Sequence, residues 1–214
     1  MFFSHPAGHK YITVVPRAMS RLLDFGEMDM NLLRCYELFL TNECERNEKN
    51  DVAFLEPFFM VENTIKCITG EDAEGYIKEA LRKFKDNKAF IMIPFLERGH
   101  WILIVIVPNV GRVWYLNSSR TCTTSAAMRD LIERAYEKAT GVIKLLTPPK
   151  HKKCHKQTGS AECGFYVCYH MWLLSEHEDP FLQKVIIDDA PLTRNQMNTV
   201  REGICAIIYG AAKI

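Results

Sequence analysis

Two hydrophobic periods share this chain, and the point where one replaces the other divides it. Over 28–88 apolar residues recur every three or four positions, the spacing of one face of an α-helix. Leu32, Leu33, Tyr36, Phe39 and Leu40 predict a first helix, and the polar stretch "TNECERNEKND" after it predicts a loop. "FLEPFFMVENTIKCI" predicts a second helix starting near Pro57, since proline is tolerated in a first turn. Ile77, Ala80, Leu81 and Phe84 predict a third, ended by "DNK".

From residue 89 the pattern shortens. "AFIMIPF" and "WILIVIV" are runs of β-branched and aromatic residues, and "RVWYLN" follows the turn "PNVG". These predict two or three strands that are apolar on both faces, the last two joined as an antiparallel hairpin. Met128, Leu131, Ile132, Ala135, Tyr136 and Ala139 then line one face of an amphipathic helix. "VIKLLTP" predicts a fourth strand, stopped by Pro148 and Pro149. From Cys163 to Leu174 every side is apolar, which predicts a central buried helix. Thr193 and Gln196 form a capping-box pattern ahead of Met197, Val200, Ile204 and Ile208, with Gly210 as the stop. The predicted class is α+β: a small, mainly antiparallel central sheet flanked by helices, in a single domain over 1–214. Its mainly helical part is 28–88, and 89–214 carries the strands and the chemistry.

Composition narrows this picture only slightly. A net charge of +1 excludes a whole-surface electrostatic partner such as bulk nucleic acid. The densest apolar run, Trp101 to Val107, is far short of the roughly 20 residues that span a bilayer. The start "MFFSHPAGHK" lacks a basic segment followed by a long apolar one, so no secretory signal is expected. Eight cysteines without a regular framework are expected to be reduced thiols, in a nuclear or cytoplasmic protein.

The candidate chemistry lies in "QTGSAECGFYVCYH", residues Gln157 to His170. A cysteine nucleophile needs a lowered thiol pKa, a base, a group that orients the base, and donors for an oxyanion. Cys163 stands at a predicted helix start, where free N–H groups and the helix dipole favour thiolate. Gly164 leaves the backbone beside it unobstructed. Gln157, six residues earlier, is an uncharged donor for an oxyanion together with the Cys163 N–H. His100 opens the most apolar strand and Asn117 closes the next, so the hairpin makes them neighbours. In a thiolate–imidazolium pair an amide oxygen suffices to accept the remaining ring proton, as in Cys–His–Asn proteases. On that reasoning Asn117→Asp is expected to be tolerated.

"IPFLERGHWILIVIV", "VWYLNSS" and "QTGSAECGFYV" resemble the catalytic blocks of the ubiquitin-like-specific cysteine proteases, the SUMO and NEDD8 protease family. The order His, Asx, Gln, Cys matches, with steps of seventeen residues from His100 to Asn117 and six from Gln157 to Cys163. The resemblance is strong over 89–175 and fainter over 28–60. It implies Cys163 as nucleophile, His100 as base, Asn117 as orienting residue and Gln157 as oxyanion donor, with Trp101 lining a narrow channel for a Gly-Gly tail. It implies cleavage after that tail of a ubiquitin-like modifier, most simply a SUMO-like one, with no cofactor and no metal. The expected partner is the modifier or its conjugates; no membrane or nucleic-acid partner is expected, and the chain is expected to be a monomer. More divergent members, some encoded by plant transposable elements, share the blocks. Two departures stand out. The family usually has aspartate where Asn117 stands, and the tryptophan of its N-terminal motif is missing, since the three tryptophans are Trp101, Trp114 and Trp172. A protease-like module that binds a modifier without cutting it, and a Cys–His acyltransferase, are the competing functions.

Several residues have plainer readings. Cys35, Cys44, Cys67, Cys122, Cys168 and Cys205 are expected in the core. His170, seven residues past Cys163 and two turns along the same helix face, is about 10 Å away and structural. "KHKKCHK", Lys150 to Lys156, is expected as a solvated loop or a basic patch beside the site. A zinc site from Cys154, His155, Cys163 and His170 or His151 fails on ligand spacing.

Overall fold

The structure is a computed structural model that describes residues 12–57, 73–142, 154–176 and 188–211. Its centre is a four-stranded sheet in the order β1 (Val52–Phe54), β2 (Phe90–Glu97), β3 (His100–Val107), β4 (Arg112–Leu116). β1 runs parallel to β2, and the other two pairings are antiparallel. Helices α3 (Ala73–Phe84) and α4 (Ala126–Thr140) pack together over one face. Over the other lies α5 (Cys163–Ser175), directly on β3, with α2 (Met30–Arg46) and α6 (Arg194–Ala211) around it. A short α1 (Pro16–Leu23) opens the described chain.

Both sheet faces are covered, which is why the strands are apolar without alternation. Along β3, Trp101, Leu103, Val105 and Val107 enter one core while Ile102, Ile104 and Ile106 enter the other. Each such side chain contributes roughly 1.5–3 kcal/mol on burial, so a one-residue slip of β3 would misplace every one of them. The β2–β3 connection fixes the register. It is the two-residue turn Arg98–Gly99, with φ of 50° and 77°, the left-handed pair that matches strand twist in a tight hairpin. Glu97 and His100 are therefore the closing pair.

Three expectations change. Residues 41–46 of the polar stretch continue α2, because the helical period runs on from Leu40 to buried Cys44, and Thr41 Oγ1 bonds back to the Glu37 carbonyl at 2.8 Å. Gly210 does not stop α6, which continues to Ala211; its φ is not among the positive ones, so it sits in the helix like any residue. Cys122 is exposed rather than core. β1 and α1 carried no anticipated signal, since three residues show no period and α1 precedes the first recognised repeat. The capping box forms as expected: Thr193 N–H donates to Gln196 Oε1 at 2.8 Å, and Gln196 N–H to Thr193 Oγ1 at 3.3 Å. The predicted helix after Pro57, the "VIKLLTP" strand and Cys67 lie outside the described residues.

Helix α2 also buries charge. Arg34 Nε lies 2.7 Å from Glu56 Oε1, both side chains buried. The fully buried Glu37 carboxyl finds no hydrogen-bond partner among the described residues. Burial, then Glu56, push its pKa well above the ordinary carboxylate value, with Arg34 opposing. The folded state thus holds a proton that the unfolded chain releases above about pH 4.5, and stability falls as pH rises from there. Glu37→Gln is expected to be more stable than the parent at pH 8, with the difference vanishing toward pH 4. Urea unfolding at both pH values measures it, and an equal gain at each would contradict the buried neutral carboxyl.

Candidate active site

Three segments meet at the His100 end of β3. Leu103 pairs with Leu116, so the next step of the register sets Asn117 beside Ile102, two residues from His100 on the same sheet face. The two side chains meet: His100 Nε2 lies 2.9 Å from Asn117 Oδ1. The surrounding bonds orient the amide. Oδ1 also accepts the Ser119 N–H at 2.9 Å, and Nδ2 donates to the Cys122 carbonyl at 2.9 Å. Oδ1 is thus the acceptor, Nε2 of His100 carries the proton, and Nδ1 is the free ring nitrogen of the neutral imidazole. Lys156 Nζ (2.6 Å) and Cys154 Sγ (3.2 Å) both donate to the Asn117 main-chain oxygen.

Cys163 is the first residue of α5 and is 3% exposed. Its Sγ accepts the Trp101 N–H at 3.4 Å. Glu162 gives the helix no side-chain cap, and the N–H groups of Gly164 and Cys163 itself also lower the thiol pKa. Burial nevertheless dominates and pushes the thiol above its ordinary value, with Glu27 adding to it. Burial likewise pushes His100 below the ordinary imidazole value; the Asn117 bond and Glu97 oppose this, and Lys156 reinforces it. The helix-start donors expected from sequence are present, but both shifts favour the uncharged forms, thiol and imidazole.

Gln157 reaches the same place from the loop before α5. Its Oε1 accepts the Ser118 hydroxyl at 2.6 Å, its main-chain N–H donates to the Ser118 carbonyl at 3.0 Å, and Nε2 donates to the Gly159 carbonyl at 2.8 Å. One amide proton of Nε2 is left for a ligand. Neighbouring residues thereby hold the two halves of the site: Asn117 takes the histidine, Ser118 the glutamine. Ser118 was not legible in the sequence, where a serine after a strand reads as a turn residue.

Gly164 and Trp101 serve the fold more directly than expected. A Cβ on Gly164 would come within 2.1 Å of the Met28 Cβ, so the missing side chain makes room for the segment joining α1 to α2. Trp101 is 3% exposed, and its Nε1 donates to the Met28 carbonyl at 3.1 Å. Met28 therefore packs against both Gly164 and Trp101. The described end of "KHKKCHK" is not solvated: Cys154 is buried, Lys156 binds two carbonyls, and His155 Nδ1 lies 3.2 Å from His170 Nε2. His170 is 1% exposed, and burial lowers its pKa to about 3, which suits a structural residue. Among the described residues no three His, Cys, Asp or Glu side chains gather into a metal-holding group, and no helix is long and apolar enough to cross a membrane.

The sequence profile of the Ulp1 protease family, C-terminal catalytic domain, matches residues 26–209. No curated protein matches the chain. Among solved structures, a SUMO protease Ulp1 with its catalytic cysteine oxidised to a sulfenic acid is 15% identical, at a TM-score of 0.67 over 95% of this chain and 87% of that one. The C-terminal Ulp1 protease domain in complex with Smt3, the yeast ortholog of SUMO, is 18% identical, with a TM-score of 0.61 over 95% and 86%. The Xanthomonas campestris effector XopD bound to ubiquitin is 14% identical, with a TM-score of 0.58 over 84% and 90%. At these identities the structural likeness shows a shared fold.

The second bond of the Asn117 amide bears on how the fold accepts aspartate there. Aspartate there would set a carboxylate oxygen against the Cys122 carbonyl, where Nδ2 now donates. Asn117→Asp is expected to destabilise the chain by about 1–2 kcal/mol, read as a lowered urea midpoint at pH 7.5. Unchanged stability would show that the Cys122 contact is not specific for an amide.

Proposed function

We propose, from the premise that this chain belongs to the Ulp1 protease family of thiol-dependent peptidases and isopeptidases, that it cleaves the bond after the C-terminal Gly-Gly of a ubiquitin-like modifier, a SUMO-like one first. The observation that carries this reading is the bond of 2.9 Å between His100 and Asn117, which holds the ring with Nδ1 free. The solved relatives that hold Smt3 and ubiquitin support a partner of that class.

In this reading the Cys163 thiol gives its proton to His100 Nδ1 as the sulfur attacks the carbonyl carbon of the terminal glycine. The new imidazolium donates Nε2–H to Asn117 Oδ1, which stabilises the charge without a carboxylate. The oxyanion is met by the Cys163 N–H and the spare Nε2 proton of Gln157. His100 returns its proton to the departing lysine amine, leaving a thioester. Water, deprotonated by the same ring, then releases the modifier and restores the thiol.

Two outcomes are expected. A SUMO C-terminal electrophilic probe labels the parent protein and not Cys163→Ala. On a fluorogenic SUMO substrate Gln157→Ala lowers kcat by about 10²–10³-fold, and Ser118→Ala by about tenfold, since it only orients the glutamine. Labelling that survives Cys163→Ala would remove the nucleophile assignment. Binding of the probe protein without labelling would favour the non-cutting module.

The pH profile follows from the neutral pair. Activity needs unprotonated His100, whose pKa lies below the ordinary 6.5, and a proton on the pair that is lost only as Cys163 titrates above the ordinary 9.0. The kcat/KM plateau is expected to extend below pH 6.5 on the acid side and past pH 9 on the alkaline side. Asn117→Ala, which removes a bond that raises the His100 pKa, moves the acid limb lower still. An acid limb above pH 6.5 in the parent would contradict the resting state described.

A further inference from the structure

On the far side of Asn117 from His100 lies a pocket of about 170 Å³, lined among others by Tyr115, Asn117, Ser119, Thr124, Arg129 and Lys156. Its polar inventory is unbalanced. Tyr115 is 5% exposed and its hydroxyl has no hydrogen-bond partner among the described residues; neither has the buried Nε of Arg129. The guanidinium carbon of Arg129 lies 5.8 Å from the centre of the Tyr115 ring, so both orphan donors belong to one wall. Lys156 supplies the opposite side. Its ammonium has three N–H groups, of which two go to the carbonyls of Asn117 and Ser119 at 2.6 and 3.3 Å, and one remains.

The charged lining groups are Arg129 and Lys156, both cations. Glu133 and Asp130 act on Tyr115 alongside Arg129 without lining the pocket, and the buried Glu97 is committed to the Ser125 N–H at 3.2 Å. A buried donor without an acceptor is costly. Two such donors on residues lining one cavity, beside two positive charges and a spare Lys156 N–H, call for a shared anionic acceptor with several oxygens. A carboxylate offers two oxygens in one plane. A tetrahedral group offers one to each wall.

We propose that this pocket binds a compact tetrahedral oxyanion, inorganic phosphate or the phosphoryl group of a small monoester. Bound there, it ties β4, α4 and the loop before Gln157 together around Asn117. Binding does not depend on protease activity and is tested without it.

The test follows thermal unfolding of the full chain in increasing sodium phosphate, against sodium chloride and sodium acetate at matched ionic strength and pH 7.5. The unfolding midpoint is expected to rise saturably with phosphate alone, as for any ligand of the native state. Half-saturation is expected at least tenfold higher in Arg129→Gln and in Tyr115→Phe, the latter losing a single atom and keeping the ring. Glycerol phosphate that produces the same saturation extends the site to monoesters, and its failure beside phosphate restricts the site to the free anion. A linear rise shared by all three proteins is generic salt stabilisation and overturns the proposal. An equal response to acetate overturns the tetrahedral assignment.

Discussion

Strand β3 is buried on both faces and bonded along both edges, so it has one register and no freedom to drift. That rigidity is what the site stands on. The Arg98–Gly99 turn sets His100 opposite Glu97, and pairing with β4 brings Asn117 within two residues of it. α5 lies along the same strand, so the Trp101 N–H meets the Cys163 sulfur. Groups separated by more than sixty positions in the chain are thus placed by the backbone of one strand, and side-chain rotamers have only short distances left to close.

Around that frame the imidazole and the glutamine are held by neutral side chains. The Asn117 amide uses both its ends, accepting from His100 and Ser119 and donating to Cys122. Ser118 and Gln157 continue the same arrangement on the next residue. Among the described residues no carboxylate is hydrogen-bonded to the imidazole, and burial favours the uncharged thiol and ring. Charge separation is then a property of the loaded site, once a developing oxyanion supplies the balancing negative charge.

The strands, α4, α5 and the capped α6 were legible because their apolar periods are long and their end signals chemical. His100, Asn117, Gln157 and Cys163 were legible as a set, since the hairpin alone makes the first two neighbours and helix-start chemistry points to the last. What escaped the sequence is what depends on contacts between distant segments. β1 is three residues long and exists only by pairing with β2. Met28 matters because it lies over Gly164 and accepts from Trp101, which no local pattern announces. Lys156 looked like one cation in a basic run, yet it binds two carbonyls. The balance at the thiol escaped for a related reason: dipole and N–H donors are local and readable, whereas the desolvation that pushes its pKa up is set by the whole fold.

The accessibility of the cysteines sets a hierarchy for covalent chemistry. Cys122 is exposed, and Cys163 is buried with its sulfur against the Trp101 N–H. Among the described cysteines, a small electrophile that selects thiols by access alone meets Cys122 first. Its adduct would sit on the residue whose carbonyl anchors the Asn117 amide, so activity would fall with the nucleophile untouched. Inactivation by such a reagent is therefore no guide to where it has bonded. A selective covalent inhibitor of this chain has to carry enough shape to open a buried site before its warhead is of any use.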